Sequence, residues 1–361
     1  MIRKLAPGLA LSVGIALVAT GLGALVPVVG APVFGIVIGA IVAAFLRSGA
    51  VTDAGAGWAG KRVLQASVVV LGSGLSIGQV VHTGWQSLPV MLGTLAVALL
   101  GAWAIGRALG LTADVRTLIG VGTGICGASA IAATQSVIRA KSADVVYAIG
   151  TIFTFNVIAV LTFPFIGRAL GMSDHSFGLW AGTAINDTSS VVAASFSFSA
   201  AAGSYGIVVK LTRTLMIIPI TIAIALWRRR RARLAVLAEA GAASGAASDS
   251  TSDSTSGTAP GPAPESAAHD RLRWTAIVPA FLIWFVVAVI VNSLGVIPAA
   301  WHPYLSQLGT FMITVALVGI GLGTRIAVLR QAGYRPLALG ASLWVLVALT
   351  SLGLQGLTHT L

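Results

Sequence analysis

The chain has little charge. Of 361 residues, 22 are Lys or Arg and 10 are Asp or Glu, so 9% are charged against 57% hydrophobic. A soluble protein carries about 25% charged residues, and so few cannot cover the surface of a water-soluble globule this long. Cysteine is nearly missing. Cys126 alone excludes an internal disulfide and any multi-cysteine metal site. The five histidines (His82, His175, His269, His302 and His359) read as loop, linker or tail, which leaves no imidazole to orient a membrane-embedded Ser or Cys126 as a nucleophile. Paired carboxylates and metal-ligand clusters are absent, and the glycine-rich stretches follow no strand, so a phosphate loop fails as well. No enzyme activity, cofactor or metal is expected.

What the chain has instead is long apolar runs on the scale a bilayer requires. They fall at roughly 5–27, 32–46, 63–82, 88–106, 117–138, 145–167, 176–200, 204–227, 274–294, 303–324 and 337–358. These eleven segments predict an all-α polytopic membrane protein. Met1-Ile2-Arg3-Lys4 and the run behind it read as the first span rather than a cleaved signal, because no small-x-small site precedes the second segment. Between segments eight and nine the composition changes: Arg228-Arg229-Arg230-Arg231-Ala232-Arg233 leads into Ala, Ser, Gly, Thr, Asp and Pro. Such a stretch cannot bury a core and reads as a disordered cytoplasmic linker. The chain thus divides into a membrane domain over 1–227, a linker over 228–273 and a second membrane part over 274–361.

The net charge of +12 marks orientation, not nucleic acid. Arg3 and Lys4, Arg47 with Lys61 and Arg62, the Arg cluster, and Arg325, Arg330 and Arg335 all flank segment ends of one parity, the cytoplasmic one. This places the N-terminus inside a cytoplasmic membrane and the C-terminus outside.

Two internal repeats are visible. Gly122-Thr123-Gly124-Ile125-Cys126-Gly127-Ala128-Ser129 in segment five aligns, sixty positions on, with Gly182-Thr183-Ala184-Ile185-Asn186-Asp187-Thr188-Ser189 in segment seven. Gly72-Ser73-Gly74 and Gly84-Trp85 align, at an offset of 249, with Gly321-Leu322-Gly323 and Gly333-Tyr334. Seven segments separate the second pair, so its copies are inverted. Two full spans would make the first pair parallel, whereas a re-entrant hairpin at each place would invert it. Hairpins keep Arg107, Arg116, Arg139 and Lys141 inside and misplace only Arg168. Full spans misplace Arg139 and Lys141. The charges lean toward hairpins without deciding the matter.

Three charged residues remain within apolar segments. Asp187 is a functional candidate by default, since a carboxylate at the bilayer centre costs a few kcal/mol; the plain alternative is a helix cap or an ion pair with an Arg. Lys210 and Arg213 stand i and i+3 on one helical face, and Lys210 could instead snorkel if its helix began near Ser204. Together the three sum to +1, which suits an anion better than a metal cation. Half-helices beginning after Gly127 and Asp187 would aim free N–H groups at the midplane. Thr123, Ser129, Thr188 and Ser189 could add hydroxyl donors, although Ser and Thr also pack helices. Cys126 reads chiefly as a packing residue at the break. The substrate-binding candidates are Thr123, Cys126, Ser129, Asn186, Thr188, Ser189, Lys210 and Arg213, with Asp187 as coupling residue and Asn156, Thr183 and Ser190 in reserve.

Gly124-Ile125-Cys126-Gly127-Ala128-Ser129-Ala130-Ile131-Ala132-Ala133, Phe177-Gly178-Leu179-Trp180-Ala181-Gly182-Thr183-Ala184-Ile185-Asn186-Asp187 and Val209-Lys210-Leu211-Thr212-Arg213 together resemble the YeiH family of bacterial inner-membrane proteins, described as sulfate exporters. The likeness runs from the third segment onward, linker excepted. Asn186 and Ser190 stand where similar members often have His and Gln, so no His-based proton relay carries over. The resemblance implies an inverted-repeat core like that of cation/proton antiporters and bile-acid symporters, moving against a scaffold. The expectation is a secondary transporter exporting sulfate or a related small oxyanion, coupled through Asp187. The alternatives are a cation/proton antiporter with Asp187 as ion ligand, and a non-transporting scaffold or sensor. Expected partners are a small inorganic or sulfonated anion and the lipid bilayer, with homo-oligomerisation left open and no nucleic acid.

Overall fold

The computed structural model describes residues 2–25, 30–45, 50–227, 230, 280–323, 333–358 and 360. Every described element is helical. The linker expected over 228–273 and the cations Arg47, Arg325 and Arg330 lie outside the described residues, apart from Arg230 in the linker. Among the described residues, six helices are long and apolar enough to cross a membrane: Leu5–Leu25, Ile77–Ala108, Ser142–Ala169, Ala200–Trp227, His302–Gly323 and Tyr334–Leu357.

In chain order, α1 is Ile2–Leu25, α2 Ala31–Phe45 and α3 Ala50–Trp58; a π turn at Ala59–Val63 joins α3 to α4 (Leu64–Gly72). Then come α5 (Ile77–Ala108), α6 (Ala113–Gly124), α7 (Ala128–Ile138), α8 (Ser142–Ala169), α9 (Asp174–Ala184), α10 (Thr188–Phe198) and α11 (Ala200–Thr214), which resumes over 217–227 after a turn. The last three are α12 (Ala280–Ser293), α13 (His302–Gly323) and α14 (Tyr334–Leu357). Oxygen side chains start several of them. Ser76 and Gln79 form a capping box on α5, and Thr112, Ser173 and Ser199 cap α6, α9 and α11.

Two expected boundaries are wrong. Lys61 and Arg62, expected to flank a segment end, lie in the π turn inside one helical run from Ala50 to Gly72, so segment three begins near residue 50 and not 63. Segments three and four were divided between 82 and 88, but the break falls at 73–76, where Gly72-Ser73-Gly74 ends α4 and the Ser76 box begins α5. Gly84 and Pro89 lie inside α5. Gly84 there lies against the Thr212 side chain, so it serves close approach, not a turn. Three histidines expected in loops are likewise helical: His82 inside α5, His175 in the first turn of α9 and His302 at the start of α13.

The helices form two groups. One is α1–α4, α12 and α13; the other is α5–α11 and α14, joined chiefly through α10 packing on α2 and α13 and α12 on α5. The seam is apolar. Val192 and Phe196 of α10 and Ile207, Val208 and Leu211 of α11 share a core with Ile36, Leu64, Val68, Ile313 and Leu317.

Both Gly-broken segments double back. Along α5 and α14, Arg335 lies against Gly110 and Leu354 against Gly93, so these helices are antiparallel. Ser176 donates to the Thr360 carbonyl at 2.8 Å, so α9 begins at the end where α14 finishes, and α8 must finish there too. Hence α8 begins at the Arg335 end, and α7 ends there, with residues 139–141 between them. Because Arg116 lies against Gly106, α6 starts at that same end. Ile131 accordingly folds back over Gly122. The second hairpin mirrors the first from the opposite end: Phe177 at the start of α9 stacks on Phe198 at the end of α10, with ring centroids 4.0 Å apart. The offset of sixty that relates the sequences also relates the helix starts at Ala128 and Thr188. Arg107, Arg116, Arg139, Lys141 and Arg335 share one end of the bundle, while Arg168 lies at the other.

Candidate functional site

The tips of the two hairpins meet in the interior. Residues 125–127 separate α6 from α7, and residues 185–187 separate α9 from α10. Gly127 takes φ +70° and ψ −128°, a conformation open in practice only to glycine, and a Cβ built there would sit 3.4 Å from Asp187 Cβ. Each break leaves the last carbonyls of one half-helix and the first N–H groups of the next without helical partners.

The carbonyls are taken by the two buried cations. Arg213 Nε donates to Gly124 O, Nη1 to Thr183 O and Nη2 to Thr123 O at 3.3 Å. Lys210 Nζ donates to Ile185 O at 2.8 Å. Both side chains are 0% exposed. Cations thus sit at the C-terminal ends of α6 and α9, where the helix dipoles are negative. Because α11 begins at Ala200 and Lys210 is sealed in, snorkelling from an end near Ser204 does not occur.

The N–H groups are treated unequally. Asp187 is the N-cap of α10, its carboxylate accepting from Ser189 N at 3.0 Å and from the Ser189 hydroxyl. Asp187 N–H donates to Asn156 Oδ1 at 3.3 Å. The start of α10 is therefore not the free donor set expected from the sequence: a short acidic side chain at the N-cap reaches its own helix first. At α7 the N-cap Gly127 makes no side-chain cap bond, and among the N–H groups there the Cys126 sulfur faces only that of Ala130, so uncapped donors arise at one break, not two.

Asp187, Thr188, Ser189 and Ser190 are half-buried, whereas the stretches on either side are buried; Ser129 is exposed on α7. Thr123 and Cys126 are buried at the first tip. Thr183 points away from the tips, sharing a 2.7 Å hydrogen bond with Ser351 of α14. Asn186 is 2% exposed and its Oδ1 has no partner. Sequence reasoning missed Ser351 and Gln355, both fully buried, with Gln355 Nε2 donating to Ser351 Oγ at 3.2 Å and Gln355 Oε1 unpartnered. Two polar residues four apart in an apolar last segment were the available signal. Among the described residues, no group of three or more His, Cys, Asp or Glu gathers as a metal site.

Comparison with known proteins gives a family. The family model described as Conserved hypothetical protein 698 matches residues 7–240 and 263–340. The chain is 38% identical over 358 residues to the UPF0324 membrane protein of Streptococcus pyogenes serotype M3, covering 98% of this chain and 97% of that one. It is 36% identical over 368 residues to that of Streptococcus agalactiae serotype V, covering 100% and 99%, and 39% identical over 344 residues to that of Streptococcus pneumoniae R6, covering 93% and 92%. No solved structure matches. The relatives' names say membrane protein and carry no substrate, so the sulfate description attached to the YeiH resemblance has no counterpart in them.

Proposed function

The chain belongs to the Conserved hypothetical protein 698 family of multi-pass membrane proteins, and we propose that it is a secondary transporter exporting sulfate or a related small oxyanion. The observation that carries this is the meeting of two hairpin tips from opposite ends of the bundle, with Lys210, Arg213 and Asp187 gathered there. Formal charge at the tips is +1. The uncapped start of α7 offers N–H donors to an oxyanion, and the exposed Ser129 and half-buried Thr188 and Ser190 stand beside the two half-helix starts. Lys210 and Arg213 contribute their field from behind the tips, each hydrogen-bonded to tip carbonyls. Asp187 couples: protonated, it admits the anion; ionised, it repels it, so each state favours a different conformation.

The eleven-segment reading fits this scheme as nine crossings plus two re-entrant hairpins, an inverted-repeat core working against the α1–α4, α12 and α13 group as in antiporter-like folds. With the basic end cytoplasmic, the N-terminus lies inside and the C-terminus outside. A second reading, cation/proton antiport with Asp187 as ion ligand, is favoured by the half-buried carboxylate at the tips. Proteoliposome flux separates them. Labelled-sulfate counterflow supports anion export, while sodium-dependent proton movement without sulfate overturns it in favour of antiport.

A further inference from the structure

We infer that Arg213 is a positioning residue that fastens the two hairpins into one unit, and does not itself ligate the transported anion. Its guanidinium reaches both tips at once, with Nε and Nη2 on the last turn of α6 (Gly124 and Thr123) and Nη1 on the last turn of α9 (Thr183). These carbonyls lie at half-helix ends, where the break has removed the next turn's donors. The planar fork holds several donors in fixed relative positions, which an ammonium does not. The neighbouring cation shows the contrast, since Lys210 reaches the second hairpin through Ile185 O. Asn156 on α8 also holds the second hairpin, at Asp187 N. Arg213 is fully buried, so water does not compete for its bonds. Three of its five N–H donors are therefore committed to holding the tips in register, and full burial keeps the other two from an arriving anion while the tips stay together.

The lone cysteine supplies the test, because Cys126 sits in the first tip at 3% exposure and a maleimide cannot reach it while the tips stay closed together. In membrane vesicles, wild-type Cys126 should stay unlabelled by N-ethylmaleimide with and without sulfate. Arg213→Gln should label at least about tenfold faster, Arg213→Lys should also label faster, and Lys210→Gln, which leaves the clamp intact, should stay protected. This arm does not depend on the transport reading. The rate arm does: in proteoliposomes Arg213→Lys should lower maximal sulfate flux about tenfold or more while the half-saturating concentration moves less than about twofold. Labelling of wild-type Cys126 during sulfate turnover would overturn the clamp, even if Arg213→Gln fails to fold. Equal labelling of Lys210→Gln and the Arg213 variants would overturn it too. A large rise in half-saturation at unchanged maximal flux would make Arg213 a ligand. Absence of any sulfate flux with the expected labelling pattern would remove the substrate assignment and leave the clamp standing.

Discussion

Replacing Lys210 by Met should leave the protein about as stable as it was, whereas the same replacement at Arg213 should weaken it severely. Lys210 is fully buried and partnered by one carbonyl, Ile185 O at 2.8 Å. Losing that donor leaves a buried carbonyl unpaired, at about 1–3 kcal/mol. Removing an ammonium from the interior in favour of an apolar side chain of similar length recovers several kcal/mol of desolvation, less the attraction lost to the nearby Asp187. The two nearly cancel, and Lys210→Met should stay within about 2 kcal/mol of wild type. Arg213→Met recovers a similar desolvation but strips donors from three carbonyls on two helices, about 3–9 kcal/mol at the same rate. The balance is a loss of several kcal/mol. Heating purified protein in detergent and measuring the monodisperse fraction by size exclusion reads both. Lys210→Met should fall within about 3 °C of wild type and Arg213→Met about 5 °C or more below it, with sulfate counterflow lost in both. A Lys210→Met midpoint as low as that of Arg213→Met would refute the reasoning, because stability would then follow buried positive charge and not the number of carbonyls served.

Asp187→Asn keeps an N-cap side chain for α10 and should change stability by less than about 0.5 kcal/mol, while counterflow loses its pH dependence; retention of the wild-type pH profile removes Asp187 from coupling. At Gly182 a Cβ would sit 2.8 Å from Val209 Cβ, so Gly182→Ala forces α9 from α11 and should cost about 1–3 kcal/mol, seen as a lowered thermal midpoint. Burial, and then the neighbouring His82, hold His175 below the usual imidazole range. Its proton therefore binds more readily in the unfolded chain, so stability is lost as pH falls below about 6.5; His175→Gln should flatten that decline in heating curves taken between about pH 8 and about pH 5. Deleting residues 238–270 should leave sulfate flux intact, and loss of all flux would favour the scaffold or sensor reading.

The membrane class and most segment positions were legible because hydropathy is a local property. So were Asp187, Lys210 and Arg213, since a charge inside an apolar run stands out whatever the fold. The α4–α5 boundary was misread because a glycine that permits close approach, Gly84, looks in sequence like one that makes a turn. Half of the donor-cage idea failed at Asp187 for a similar reason. An aspartate before a helix is both a membrane carboxylate and an N-cap, and only its neighbours' positions tell which of its oxygens is taken. Thr183 likewise turns toward Ser351, on a helix more than 160 positions away, a pairing that no spacing along the chain encodes.

By itself the sequence determined that this chain lives in a bilayer, because 32 charges cannot solvate 361 residues. It also determined that two repeated, glycine-broken segments carry the polar residues. Tertiary structure decided which way those segments run. A break between two apolar half-helices reads identically whether the chain continues or turns back, and only the shared ends of α7 with α8 and of α9 with α10 resolve it. It also decided what the buried cations do. In a low-dielectric interior a guanidinium takes whatever acceptors surround it, and the paired hairpin tips surround Arg213 with carbonyls.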